Sequence, residues 1–130
     1  MAVDVMKRIR DHVLASSTVV SYVGSRVYAG EQLPVGYKPA DGPAILFNVR
    51  GGGMAYHNLT EDPSIQYRIY GETLNDIWDT YNALKDYLTD AHGVYVASGR
   101  IETMGQQLVE PETDRWIYIL CGFRHHVRDI

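Results

Sequence analysis

The sequence predicts an α+β fold: one mostly antiparallel sheet with an amphipathic helix over about residues 74–89 and an N-terminal helix packed against it. Three observations predict it. Ile65, Tyr67 and Ile69 alternate with Gln66 and Arg68, the period of a half-buried strand. At Gly71 the period lengthens to about 3.6, with Leu74, Ile77, Trp78, Tyr81, Leu84 and Leu88 in one stripe. Near the C-terminus Ile117, Ile119, Cys121 and Phe123 alternate with Trp116, Tyr118 and Leu120, so that strand is covered on both faces.

The elements follow in order. From Val3 to Leu14, Val5, Met6, Ile9 and Val13 recur at helical spacing opposite Lys7, Arg8, Arg10 and Asp11. The next stretch, SSTVVSYVG, offers Ser16 or Ser17 as N-cap and Gly24 as stop for a short second helix. Arg26 to Ala29 reads as a short strand. EQLPVGYKPADGP, with three prolines and two glycines, reads as an irregular surface loop. Ala44 to Val49 is a buried strand, which Gly51, Gly52 and Gly53 are expected to end, with MAYHNLTEDP as a loop or hairpin tip.

After the strand Ser64 to Tyr70, Thr73 caps the long helix and Asp76 stands at its third position. Asp76, Asp79, Asp86 and Asp90 gather on its outer arc, and Lys85 falls within the apolar arc, from which it snorkels to an edge. Two strands follow Gly93, joined around Pro111. The core predicted from these periods sets Leu74, Ile77, Trp78, Tyr81, Leu84 and Leu88 over Ile45, Phe47, Ile65, Tyr67, Ile69, Ile117, Ile119 and Phe123.

At 130 residues a single domain spanning 1–130 is expected, and its apolar fraction of 45% supports a core without disulfides. Cys121 is the sole cysteine, so no disulfide can form within the chain. A net charge of −4 with no Lys or Arg run argues against sequence-specific nucleic-acid binding, and no apolar run reaches membrane-spanning length. The start of the chain lacks the layout of a secretion signal, which places synthesis in a cytoplasm. Ten tyrosines beside two Phe and two Trp favour aromatics that lie half in a core and half in an interface.

No catalytic, cofactor or metal site is expected. The glycine run has neither a helix start after it nor a Lys or Ser/Thr at phosphate-binding spacing. His125 and His126 are strand neighbours pointing to opposite faces, and His12, His57 and His92 are isolated in sequence, so all are read as surface or rim residues. Cys121 lies on an apolar face, where a thiol stays protonated. Packing leaves two connections unexplained: Met54, Tyr56 and Leu59 in one arm, and Met104, Leu108 and Val109 in a hairpin between the last strands. These six form the candidate subunit interface.

The series VGSRVYAG, GPAILFNV, IQYRIYGET leading into LNDIWDTYNALKDYL, and WIYILCGFRHHVR, in this order and over nearly the whole chain, resembles the tail-completion, or tail terminator, proteins of tailed bacteriophages. The resemblance implies a virion protein without catalytic residues. It would form a homo-oligomeric ring, commonly a hexamer, between the tail tube protein and the head-tail connector protein. DNA would pass through the lumen, which the Asp-rich helix face could line. A head-tail adaptor or stopper is the near alternative. A small cytoplasmic ligand-binding domain or enzyme is the alternative of another class.

Overall fold

The computed structural model describes residues 5–30, 32–54, 60–90, 93, 96–97, 99–110 and 116–128, of which 51–54, 60–62 and 128 by their backbone alone. The order is α1 (Val5–Leu14), α2 (Ser17–Val23), β1 (Val27–Ala29), a 3-10 turn (Pro39–Asp41), β2 (Ala44–Met54), β3 (Thr60–Tyr70), α3 (Leu74–Asp90), β4 (Arg100–Val109), β5 (Ile117–Arg124) and β6 (Val127–Arg128). The strands form one mixed sheet in the order β1-β2-β3-β5-β4, and β6 pairs with the start of β3. Only β1 and β2 run parallel; the other pairs are antiparallel. This is the predicted α+β fold.

The helix boundaries follow their caps. The Ser16 hydroxyl accepts from the Val19 N–H at 3.2 Å, and Gly24 at φ 59° donates its N–H to the Val20 carbonyl at 2.7 Å, so α2 starts and stops as its sequence implies. Thr73 Oγ1 accepts from the Asp76 N–H at 3.2 Å and opens α3. All three helices lie on one sheet face. Ile9 and Val13 of α1, Val19 and Val23 of α2, and Ile77, Tyr81, Leu84 and Leu88 of α3 close over Val27, Ile45, Phe47, Ile65, Tyr67, Ile69, Ile119, Cys121 and Phe123. Each fully buried Ile, Leu or Phe here contributes about 1.5–3 kcal/mol relative to leaving it in water. The N-terminal helix therefore packs on its own sheet, and Arg10 fastens it by donating from Nε to the Val27 carbonyl at 2.9 Å.

The sheet departs from expectation at four places. The first is the glycine run, which does not end β2: the strand continues to Met54, and β3 begins at Thr60 rather than Ser64. Glycines are weak strand formers, but pairing of Gly52 with Pro63 and Gly53 with Asp62 holds the hairpin together beyond a one-residue bulge between Val49 and Gly52. The second is the last strand, predicted as continuous through Val127 and interrupted at His125 and His126 although its register against β3 is the same on both sides. Pro63 causes the gap. The His125 N–H reaches the Pro63 carbonyl at 3.1 Å, and proline has no N–H to return.

The third departure is the core membership of α3. Leu74 is 42% exposed, because Ile77 fills the space beneath the first turn, only 3.0 Å from where a Cβ on Gly71 would stand. Trp78 and Ile117 are half-buried, while Thr80, which a polarity pattern places outside, is fully buried with its hydroxyl donating to the Asp76 carbonyl at 2.7 Å. The fourth is the loop 32–43. Parallel neighbours need a crossover, and this segment supplies it by passing over the sheet face opposite the helices. There Tyr37 is buried, its hydroxyl donates to the Gly42 carbonyl at 2.7 Å, and its ring meets Trp116 edge-on at 5.9 Å. Together with Ala44, Leu46 and Tyr70 it makes a second, smaller apolar cluster.

Candidate interaction surface

Of the six residues predicted for a subunit interface, three have described side chains. Met104 is 72% exposed and Val109 45% exposed, and Leu108 is half-buried. They stand on β4, the outermost strand, rather than on a projecting hairpin. Met54 is placed by its backbone at the end of β2, and Tyr56 and Leu59 lie outside the described residues. Two strands separate β2 from β4, so Met54 and the β4 group are not neighbours across the sheet.

β4 is an irregular edge. Its register against β5 slips twice, between Ile101 and Thr103 and between Thr103 and Gln106, and each slip inserts one residue. A bulge leaves backbone groups out of the ladder, and here α3 supplies a partner: Tyr81 Oη accepts from the Gly105 N–H at 2.8 Å. The ring lies so close that a Cβ on Gly105 would come within 2.7 Å of Tyr81 Cζ. Only glycine fits that place. The opposite border is closed in another way, since β1 is three residues long and its Val27 carbonyl is occupied by Arg10.

Between the borders, none of the described residues covers the sheet face away from the helices beyond the tyrosine cluster under the loop. A shallow groove of about 300 Å³ opens there between Arg50, Ser64, Gln66, Glu102, Leu120 and Gly122. Arg50 donates to the Gln66 side-chain oxygen and Ser64 to Glu102, while Arg124 Nε reaches the other Glu102 oxygen at 3.1 Å. Arg68 lies over the Tyr118 ring, 5.8 Å from its centroid. These groups bind one another across the strands.

The histidines need correction. His12 and His125, expected at the surface or rim, are 6% and 1% exposed and meet in the core with ring centroids 6.3 Å apart. His125 Nε2 hydrogen-bonds the Tyr67 hydroxyl at 2.9 Å, and its ring stacks on Phe123. Burial, then the nearby His12, pushes the His125 pKa down to about 4, so the ring is neutral near pH 7. His126 is exposed on the other side of the strand, and His57 and His92 lie outside the described residues. Among the described residues no three His, Cys, Asp or Glu side chains converge as a metal site would require. The chain separation of His12 and His125 hid their meeting; the alternation of Cys121, Phe123 and His125 was the one available sign that His125 faces inward.

Cys121 is buried, and burial pushes its thiol up to about 12, the environment of a packing residue. The tyrosines, expected at interfaces, serve the interior to a large extent. Tyr37, Tyr67, Tyr70 and Tyr81 are buried, and burial holds the Tyr70 hydroxyl up to about 12 and that of Tyr67 well above its ordinary value. Among the described residues no helix is long and apolar enough to cross a membrane.

The whole fold has a counterpart among solved structures. A chain from the virion of the native gene transfer agent (GTA) particle aligns over 93% of this chain and 92% of its own length, with a TM-score of 0.57. That is a likeness of fold. Sequence identity over the alignment is 14%, and neither a protein-family model nor a curated protein matches the sequence.

Proposed function

We propose that this chain is a non-catalytic structural subunit of a phage-type virion, a tail-completion protein that assembles as a ring between tail tube and head connector. The observation that carries this reading is the end-to-end fold likeness to a chain of a gene transfer agent virion. It agrees with the order of motifs from VGSRVYAG to WIYILCGFRHHVR that resembles the tail terminators. The exposed apolar residues Val49, Met104 and Val109 on the outer parts of the sheet supply surface for neighbouring subunits to cover.

In this role the work is geometric. The sheet and its three helices hold a rigid wedge, one border of each copy meets the next, and the ring faces meet the tube on one side and the connector on the other. Repeated heterologous contacts close into such a ring when each step adds a fixed rotation.

The test is electron microscopy of particles made without this protein and then supplied with it. Addition should cap isolated tails at one end and let them join DNA-filled heads. Attachment to heads alone would replace the terminator role with that of an adaptor or stopper, and turnover of a small substrate by a monomer would end the structural reading.

A further inference from the structure

Two faces of this chain carry clusters of opposite charge. Arg68 alternates with buried Tyr67 and Ile69, and Arg124 with buried Phe123, so both point away from the helices. Arg100 is the cross-strand partner of Arg124, and Arg50 reaches over the same face to Gln66. Four arginines thus stand on this face beside two described carboxylates, Glu102 and Glu110, the latter next to Tyr70. On the far side of the molecule, Asp76, Asp79, Asp86 and Asp90 are all exposed on the outer arc of α3. None of the four is ion-paired among the described residues, and the helix's one base, Lys85, lies 5.6 Å over the Tyr81 ring instead.

We propose that the bare sheet face is a docking surface for a second copy of this chain, whose acidic outer face of α3 lies in the groove beside Arg50, Arg68, Arg100 and Arg124. The proposal rests on the ring reading above and names the surfaces that join one copy to the next. Charge complementarity selects this occupant. The two faces lie on opposite sides of one molecule, so a contact between them leaves one free face of each sign and repeats in a single direction, the heterologous geometry that a ring needs. A two-fold dimer through either face alone would set like charges against each other.

The arginines would also meet a polyanion such as DNA, but the chain has a formal net charge of −4, which opposes that encounter at long range. The neighbour's α3 offers anions at a fixed spacing together with an apolar group, Leu74, 42% exposed at its first turn. Half-buried Leu120 on the groove floor is an apolar counterpart. Exposed ion pairs add little affinity each, and complementary fields chiefly set orientation and encounter rate. The α3 face therefore points at the next subunit rather than into a lumen.

Charge reversal in two variants of the full chain tests this. Arg50→Glu with Arg100→Glu reverses the sheet face, and Asp79→Lys with Asp86→Lys reverses the helix face; all four positions are exposed, so circular dichroism should show both variants folded. Light scattering at low salt is expected to show wild-type assemblies and, for each variant alone, self-association weakened by about tenfold or more. An equimolar mixture should regain the wild-type mass, because each reversed face then meets a reversed partner. Variants that assemble like wild type, or a mixture that stays dissociated, would overturn the face assignment and leave the ring reading standing. A wild-type protein that remains monomeric and also fails to bind tails would remove both. Retention of labelled duplex DNA by monomeric wild type, lost on reversing the arginines, would assign that face to DNA and overturn the proposal.

Discussion

The two faces of the sheet are made from the same strands under opposite rules. Toward the helices, Phe47, Tyr67, Ile69, Ile119 and Phe123 are sealed from water, with the Tyr67 hydroxyl bonded to His125 and the Thr80 hydroxyl to the Asp76 carbonyl. Away from them, Gln66, Arg68 and Arg124 alternate with those same residues and pair with Arg50, Tyr118 and Glu102 at or near the surface. The first face makes the fold, since removal of apolar area from water is its main source of stability. The second adds a smaller cluster of Tyr37, Ala44, Leu46 and Tyr70, and beyond it none of the described residues covers the arginine-bearing part. Substitutions on the two faces should therefore separate stability from assembly.

Phe47→Ala should show the largest effect, a loss of about 3–5 kcal/mol in urea denaturation, because the cavity adds to the lost transfer energy. A loss under about 1 kcal/mol would mean that the helix layer is loosely packed.

Acid comes next. The His125 pKa is lowered to about 4 in the fold and lies near 6.5 when unfolded, so between these values the unfolded chain binds the extra proton. Stability from this group is complete above pH 6.5 and falls as pH drops toward 4, by up to about 3 kcal/mol. The urea midpoint measured at pH 7 and pH 5 should decline, and His125→Gln should flatten that decline even if it lowers the midpoint at both.

A smaller effect is expected at the bulged edge. Tyr81→Phe takes the acceptor from the Gly105 N–H and should cost about 1 kcal/mol. The amide of Gly105 should then exchange with solvent faster, which amide hydrogen exchange would report. On the bare face, Glu102→Gln breaks the surface pair with Arg124 and should change stability by less than about 0.5 kcal/mol. A change as large as those on the helix side would erase the contrast between the faces.

The helix-covered face was legible in the sequence because its signals are local. Ile65, Tyr67 and Ile69 announce a strand by alternation, and the stripe from Ile77 to Leu88 together with the Thr73 cap predicts α3 to within one residue of its end at Asp90. Ser16 and Gly24 mark α2 in the same way. The bare face was not legible. Gln66 and Arg68 can be placed opposite the core by counting, but gathering Arg50, Arg68, Arg100 and Arg124 requires strand order and register, which depend on bulges that no local pattern announces. The same holds for His12 and His125, which come together only after α1 has docked on the sheet. Leu74 shows the converse error, since a stripe gives direction around a helix and not how far along its axis the sheet extends.

The two surplus residues of β4 bear on how the protein behaves in bulk. A straight outer strand is a template on which other chains can stack without limit, ending in fibrils. The bends at Thr103 and Gln106, with the Gly105 amide already engaged by a side chain, spoil that template. A chain so equipped resists unlimited edge-to-edge stacking even when it is crowded.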